Sequence, residues 1–168
     1  TAREVNKRYP KFTVAVLEKE SAVATHQTGH NSGVIHAGMY YEPNSTMART
    51  CVRGNDLMYK YCEKHNITYE RTGKLIVAVN EDEHKVVQKL HDRGTTNGVK
   101  GLEVWMKDKV LKFEPALESA YSALWSPSTG IVDYRVVAKH IEKELLSSDR
   151  VAIKCNFEAN TFDYRQPR

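Results

Sequence analysis

Cysteine is scarce in this chain: 168 residues hold three, Cys51, Cys62 and Cys155, and no CxxC pair. An odd count without paired spacing argues against a disulfide scaffold, a zinc ribbon or a dithiol redox site. If residues 47–64 are helical, Cys51 and Cys62 lie roughly 16 Å apart along the helix. A disulfide tolerates a Cα separation of roughly 7 Å at most, so reduced, structural cysteines are expected. Long apolar runs are missing too. None approaches the roughly 20 residues that a membrane helix needs. The stretch Thr1–Arg8 is polar and no apolar signal-peptide core follows it. The first residue is not Met and the chain opens inside a helical pattern, so a targeting segment upstream stays an open matter. Charge of one sign is not concentrated anywhere: the net +4 is spread along the chain. A nucleic-acid binder would cluster its cations on one element with aromatics between them, so no nucleic-acid partner is expected. A mild basic excess instead suits a solvated surface, or a site for an acidic substrate or anionic cofactor.

The remaining composition, 40% hydrophobic and 27% charged, belongs to a globular chain long enough for one domain of ordinary size. The pattern reads as a helix through Tyr9 stopped by Pro10, then a strand, Phe12–Leu17, rich in β-branched residues. Such a strand suits burial on both faces of a parallel sheet. A polar loop, Ser21–Asn44, has neither period; loops this long are usually functional or disordered. A helix follows over 47–64 and a strand over Lys74–Val79. Asn80 then caps a helix, with Glu83 completing a capping box and Val86, Val87 and Leu90 forming the buried face. That helix should stop near Gly94 or Gly98. A strand at Leu102–Met106, a short helix at Asp108–Phe113 and a strand at Ala120–Trp125 come next. Asp133 caps a helix burying Val137, Ile141 and Leu145. Val151–Cys155 is a last strand, and the tail 161–168 has no pattern. Helix followed by buried strand suggests the second half of a βαβ unit.

Two places carry chemistry. Glu18 closes the first strand. In a dinucleotide fold an acidic residue there accepts hydrogen bonds from a ribose diol, although acidic residues also follow many ordinary strands. The loop His26-Gln-Thr-Gly-His-Asn-Ser-Gly-Val-Ile-His-Ala-Gly-Met-Tyr-Tyr41 combines glycines with Thr28, Asn31 and Ser32 as donors. Glycine lets backbone N–H groups approach a phosphate without a Cβ between them. His26, His30 and His36 invite a metal reading. Gly29 and Gly33 work against the helix that would align the first two, and no carboxylate has a ligand-like spacing, so no metal is expected.

The runs VLEKE, HQTGHNSGVIHAGMYY, TGKLIVAV and TGIVDYR, in this order over about Phe12–Phe157, closely resemble the L-2-hydroxyglutarate dehydrogenase family. That family lies within the D-amino-acid-oxidase-like flavoprotein superfamily. The resemblance implies an α/β (mixed α+β) fold: a partial FAD-binding, Rossmann-like domain with an inserted mixed-sheet substrate domain. It would divide the chain into 1–66 and 130–168 for the FAD side and 67–129 for the substrate side. It also implies FAD as cofactor. Glu18 would bind the adenosine ribose. His26, Thr28, His30, Asn31 and Ser32 would pass the pyrophosphate and ribityl chain. Gly33, Val34, Ile35 and His36 would run beside the flavin ring, and Asp133 would be a helix cap. The strand and GxGxxG turn that open this fold would precede Thr1, and the later flavin-binding segment would follow the chain. The piece alone should then bind FAD poorly.

The implied activity is FAD-dependent oxidation of L-2-hydroxyglutarate to 2-oxoglutarate. A small dicarboxylate is the implied partner, the electron acceptor is left open, and a mitochondrial location is implied. A base near neutral pH suggests histidine. His36 is the candidate, with a flavin-contacting or structural role as its alternative. Arg71 and Lys74 are candidate cations for the dicarboxylate, unless they are plain surface charges, and Tyr40 and Tyr41 are candidate pocket walls. Another flavin-dependent 2-hydroxy-acid or amine oxidoreductase, or a non-catalytic fragment, are the competing readings.

Overall fold

The computed structural model describes residues 1–161; the patternless tail expected at 161–168 falls, from 162 on, outside the described residues. In chain order the elements are α1 (Ala2–Arg8), β1 (Val14–Leu17), β2 (Val34–Ile35), α2 (Thr46–His65), β3 (Tyr69–Glu70), β4 (Leu75–Ala78), α3 (Glu81–Thr96), β5 (Glu103–Met106), α4 (Lys107–Phe113), β6 (Ser122–Trp125), β7 (Gly130–Val132), α5 (Tyr134–Leu146) and β8 (Val151–Lys154). This is the mixed α/β chain the sequence suggests. It forms two compact units: residues 1–31 together with the described part of 133–168, and residues 32–132. The segment 1–66 is therefore shared between both units.

In the first unit β1 and β8 pair in parallel, with Val14 opposite Val151 and Leu17 opposite Lys154. Parallel strands need a crossover element, and α5 leads into β8. Asp133 caps α5, its Oδ1 accepting from the Arg135 N–H at 2.8 Å. Val137 and Leu145 are buried on the helix face read from the sequence, and Ile141 is half-buried. Arg3 binds Glu144 at 2.7 Å and so joins α1 to α5. The Arg150 guanidinium donates to the carbonyls of Asn6, Tyr9 and Phe12 at 3.1–3.4 Å, of which Asn6 is one that the end of α1 leaves without a helical partner. The expectation that β1 is buried on both faces is not met: Ala15 is exposed and Leu17 is 45% exposed. The helices α1 and α5 touch each other and cover the Val14–Val16 face only.

In the second unit two antiparallel three-stranded sheets have the orders β2-β7-β3 and β4-β6-β5. In the second sheet the side-chain period of a strand sorts residues to opposite faces. Ile76, Leu124 and Val104 pack with Val87 and Leu90 of α3. Their neighbours Val77, Ala123 and Trp105 pack with Val110 of α4. A stacked pair, Trp105 and Trp125 with ring centroids 5.0 Å apart, extends the α4 side. The cap of α3 forms as read: Asn80 Oδ1 accepts from the Glu83 N–H at 2.9 Å. The returning Glu83 carboxylate takes the Val79 N–H at 2.9 Å, one residue before the usual position.

Three details differ from the sequence reading. Val86 is 54% exposed, because Val87 and Leu90 alone point into the core. Gly94 lies inside α3, pressed against Met39 and Leu102, and the helix runs on to Thr96. The short strands β2, β3 and β7 were not anticipated. At two or three residues each they are too brief for a period to emerge, and their pairing is between distant segments.

Candidate active site

The first unit holds the residues expected at the nucleotide. Glu18 follows β1 directly and lines a cavity of about 420 Å³ together with Lys19 and residues 24–28. One of its carboxylate oxygens accepts from the Glu20 N–H at 3.0 Å; the other has no partner among the described residues. The loop beyond it is held mostly by its own chain. Gly29 and His30 donate their N–H groups to the carbonyls of His26 and Gln27. Asn31 Nδ2 donates to the carbonyls of Gln27 and Thr28 at 2.9 and 2.8 Å, and His30 Nδ1 reaches the His26 carbonyl at 3.0 Å. His26 and Glu20 meet at 2.7 Å, an exposed contact that lowers the Glu20 pKa. A Cβ on Gly29 would run into the Ala24 carbonyl, so the turn closes only around glycine. His26 and His30 are thus occupied with local bonds. Among the described residues no three of His, Cys, Asp and Glu gather as metal ligands would.

The second unit holds the residues expected at the flavin ring and substrate. Ser32 is exposed, and Gly33 sits at φ 69° with its carbonyl accepting from the Val132 N–H at 2.9 Å. Val34 and Ile35 pair with β7. The strand ends there, and His36 to Tyr41 runs on as an irregular segment with Ala37, Gly38 and Met39 buried. Two features let it lie so close to its helices. Gly38 has φ 106°, and an added Cβ would come within 2.8 Å of Val52 Cγ2 on α2; Met39 packs against Gly94 of α3.

This segment brings three of the expected residues together. Lys74 Nζ donates to the Tyr40 hydroxyl at 2.9 Å and lies 5.0 Å from the centre of its ring. His36 is an exposed residue, yet partial desolvation of its ring, and next the positive charge of Lys74, hold its pKa below the usual 6.5. An imidazole so placed is neutral near pH 7 and free to take a proton. Arg71 goes elsewhere. Its guanidinium carbon stacks 3.8 Å from the centre of the Tyr59 ring, and it meets Glu63 at 3.6 Å. There it lines a cavity of about 680 Å³ with Ala37, Asn55, Tyr59 and Ser128 among its walls. Tyr41 is half-buried, and its carbonyl is taken by Asn97.

Sequence reading missed the groups that hold this segment. Asn55, Asn97 and Arg93 bond its carbonyls from helices whose residues are 19 to 59 positions away in sequence. No local motif marks such partners.

The model of the family described as FAD dependent oxidoreductase (DAO) matches residues 1–167. The chain belongs to that family. FAD is the family's cofactor, and Glu18, with one free oxygen on the rim of a cavity, has the donor-accepting chemistry that a ribose diol requires. Among relatives, the mitochondrial L-2-hydroxyglutarate dehydrogenase of Dictyostelium discoideum is 42% identical over 98% of this chain and 38% of its own length. That of Nematostella vectensis is 51% identical over 82% of this chain and 30% of its own length. The chain thus spans little more than a third of these relatives at most. A solved structure of L-α-glycerophosphate oxidase from Mycoplasma pneumoniae with FAD bound has a TM-score of 0.77 at 25% identity, over 88% of this chain and 39% of that one. Glycine oxidase from Bacillus cereus, at 23% identity and a TM-score of 0.76, shares the fold. Among the described residues no helix is long and apolar enough to cross a membrane.

Proposed function

We propose that the whole protein oxidises L-2-hydroxyglutarate to 2-oxoglutarate and that it works in mitochondria. The relatives at 42% and 51% identity carry that enzyme's name and a mitochondrial designation. The observation in this chain that supports the chemistry is the Lys74–Tyr40 pair, on the segment that also carries His36, whose pKa is lowered by burial and then by the Lys74 charge. When bound, FAD supplies the redox chemistry by accepting the hydride that leaves substrate C2. His36 takes the proton of the C2 hydroxyl, so that the oxygen's electron pair forms the new carbonyl. The Lys74 ammonium and the Tyr40 hydroxyl bind one substrate carboxylate; the charge-assisted bond fixes which end of the dicarboxylate lies near His36. Arg71, stacked on the Tyr59 ring and paired with Glu63, lines a separate cavity and is left out of this arrangement. Glu18 holds the adenosine ribose, and the stretch from Thr28 through His30, Asn31, Ser32, Gly33 and Val34 follows the rest of the cofactor toward its ring.

The test uses the full-length protein. His36→Ala should keep bound FAD, seen in its absorbance, while substrate-driven bleaching slows by about 100-fold or more, the usual share of a general base. Bleaching at the normal rate removes His36 from that role. Bleaching by amino acids in place of L-2-hydroxyglutarate would instead assign the protein to an amine-oxidising branch of the same fold.

A further inference from the structure

The stretch Ile35–Tyr41 leaves the sheet at Ile35 and passes between two helices, so its backbone carbonyls lose their ladder partners. Three side chains take up five of the seven carbonyls, those of Ile35, His36, Gly38, Tyr40 and Tyr41. Asn55 of α2 places its Nδ2 3.1 Å from the His36 carbonyl, 3.4 Å from that of Ile35 and 2.9 Å from that of Ser128. Tyr59, one turn on, donates to the same Ser128 carbonyl at 3.0 Å. At the other end Asn97, which caps α3, donates from Nδ2 to the carbonyls of Gly38 and Tyr41 at 3.0 and 2.8 Å. Arg93 donates to the Tyr40 carbonyl at 3.2 Å and is itself held by Glu42 at 2.7 Å.

The orientation of Asn97 is informative. Its Oδ1 is buried with no partner among the described residues. Turning the amide over would place that oxygen against two carbonyls, so the donor face is what the site demands. Both asparagines are half-buried; the bonds of Asn97 go to main-chain oxygens of the segment that carries His36 and Tyr40, and those of Asn55 tie that segment to the Ser128 carbonyl.

We propose that Asn55 and Asn97 are positioning residues for the reaction, Asn55 setting the backbone that aims His36 and Asn97 setting the turn that aims Tyr40 at Lys74. The proposal rests on the reading of His36 as the base and of Tyr40 with Lys74 as substrate contacts. Because the two staples grip opposite ends of one segment, they should affect different kinetic constants. Without Asn55, the His36 carbonyl retains only the weak contact from Cys51 Sγ at 3.6 Å, and the imidazole is free to swing into water. Without Asn97, the Gly38 and Tyr41 carbonyls lose their donor and the Tyr40 ring drifts from Lys74. Among the described residues, the titratable and charged groups around the segment are Lys74 just before β4, Cys51 from α2, Arg93 from α3, Tyr40 and Tyr41 of the segment and Glu42 after it, with Arg53, Asp56, Tyr59, Lys60, Arg71 and Lys100 on the cavity wall shared with Ala37.

Steady-state kinetics and pH profiles of the full-length, FAD-loaded protein decide the matter. Asn55→Ala should lower kcat about tenfold or more with KM within about twofold. The acid limb of its kcat/KM profile should rise toward an ordinary histidine value. Asn55→Leu, of almost the same size but without the donor and without a new charge, should do the same, and it stands in if the alanine variant folds poorly. Asn55→Gln, which keeps the amide, should recover part of the loss. Asn97→Ala should raise KM about tenfold with kcat little changed. Wild-type kcat and pH profile in both Asn55 variants overturn the proposal. So does an equal loss of kcat and KM in the Asn55 and Asn97 variants that merely follows their thermal stability. Failure of the underlying reading looks different: His36→Ala would keep flavin reduction, and the imidazole pKa, followed by NMR in Asn55→Leu, would then judge the staple by itself.

Discussion

Two irregular loops, residues 24–31 and 35–41, carry most of the expected site, and they are held in opposite ways. The first is bonded to itself, with donors and acceptors three or four residues apart. The second has its carbonyls captured by Asn55, Arg93 and Asn97, from two different helices. A loop closed by its own residues can shift as a body when a ligand arrives. One fastened to two packed helices keeps its shape as long as the helices do. The contrast suits a loop that follows a flexible cofactor tail on one side and a segment that must hold a base at a fixed place on the other.

Substitution at the two tight glycines should expose the difference. Gly38→Ala forces a positive φ on alanine and a Cβ against Val52, neither of which α2 can yield to. A loss of about 1–3 kcal/mol is expected in denaturant unfolding of the full-length protein. An unchanged midpoint would mean the segment is not clamped. Gly29→Ala sets a Cβ against a backbone oxygen, that of Ala24, and should cost a similar amount, about 1–3 kcal/mol. Its main effect should be weaker retention of FAD, read by dialysis and absorbance. An equal loss of FAD from Gly38→Ala would erase the distinction between the two loops.

The smallest expected effect is electrostatic. Burial first and Lys74 second make protonation of His36 harder in the folded chain than in the unfolded one. The stabilisation from the neutral ring is therefore complete above the ordinary value of 6.5 and fades as pH falls through the lowered folded value. Lys74→Met should move the His36 titration upward by part of the shift, leaving the part due to burial. NMR titration of the ring measures this directly, and a downward move would contradict the assignment of Lys74 as a cause.

Much of the framework was readable in advance because its signals are local. The caps at Asn80 and Asp133, the helices around Val87 and Val137, and the strands containing Ile76 and Leu124 all announce themselves within a few residues. Glu18 was readable because a strand and its next residue suffice to define it. The exposure of Leu17 and Val86 was not, since it depends on what covers a face. The meeting of Tyr40 with Lys74, 34 positions apart, was suspected only as a shared pocket.

By itself the sequence determined the longer elements, the caps at Asn80 and Asp133, the family resemblance and the candidate residues, because each of these is written in short-range periodicity or in a contiguous motif. Tertiary structure alone decided that Arg71 would lie on Tyr59 while Lys74 joined Tyr40, and that Asn55 and Asn97 would hold the segment between β2 and α2. The physical reason is that unpaired carbonyls of an irregular stretch accept whatever donors packing brings near. Which donors those are is settled only when helices distant in sequence come to rest against it.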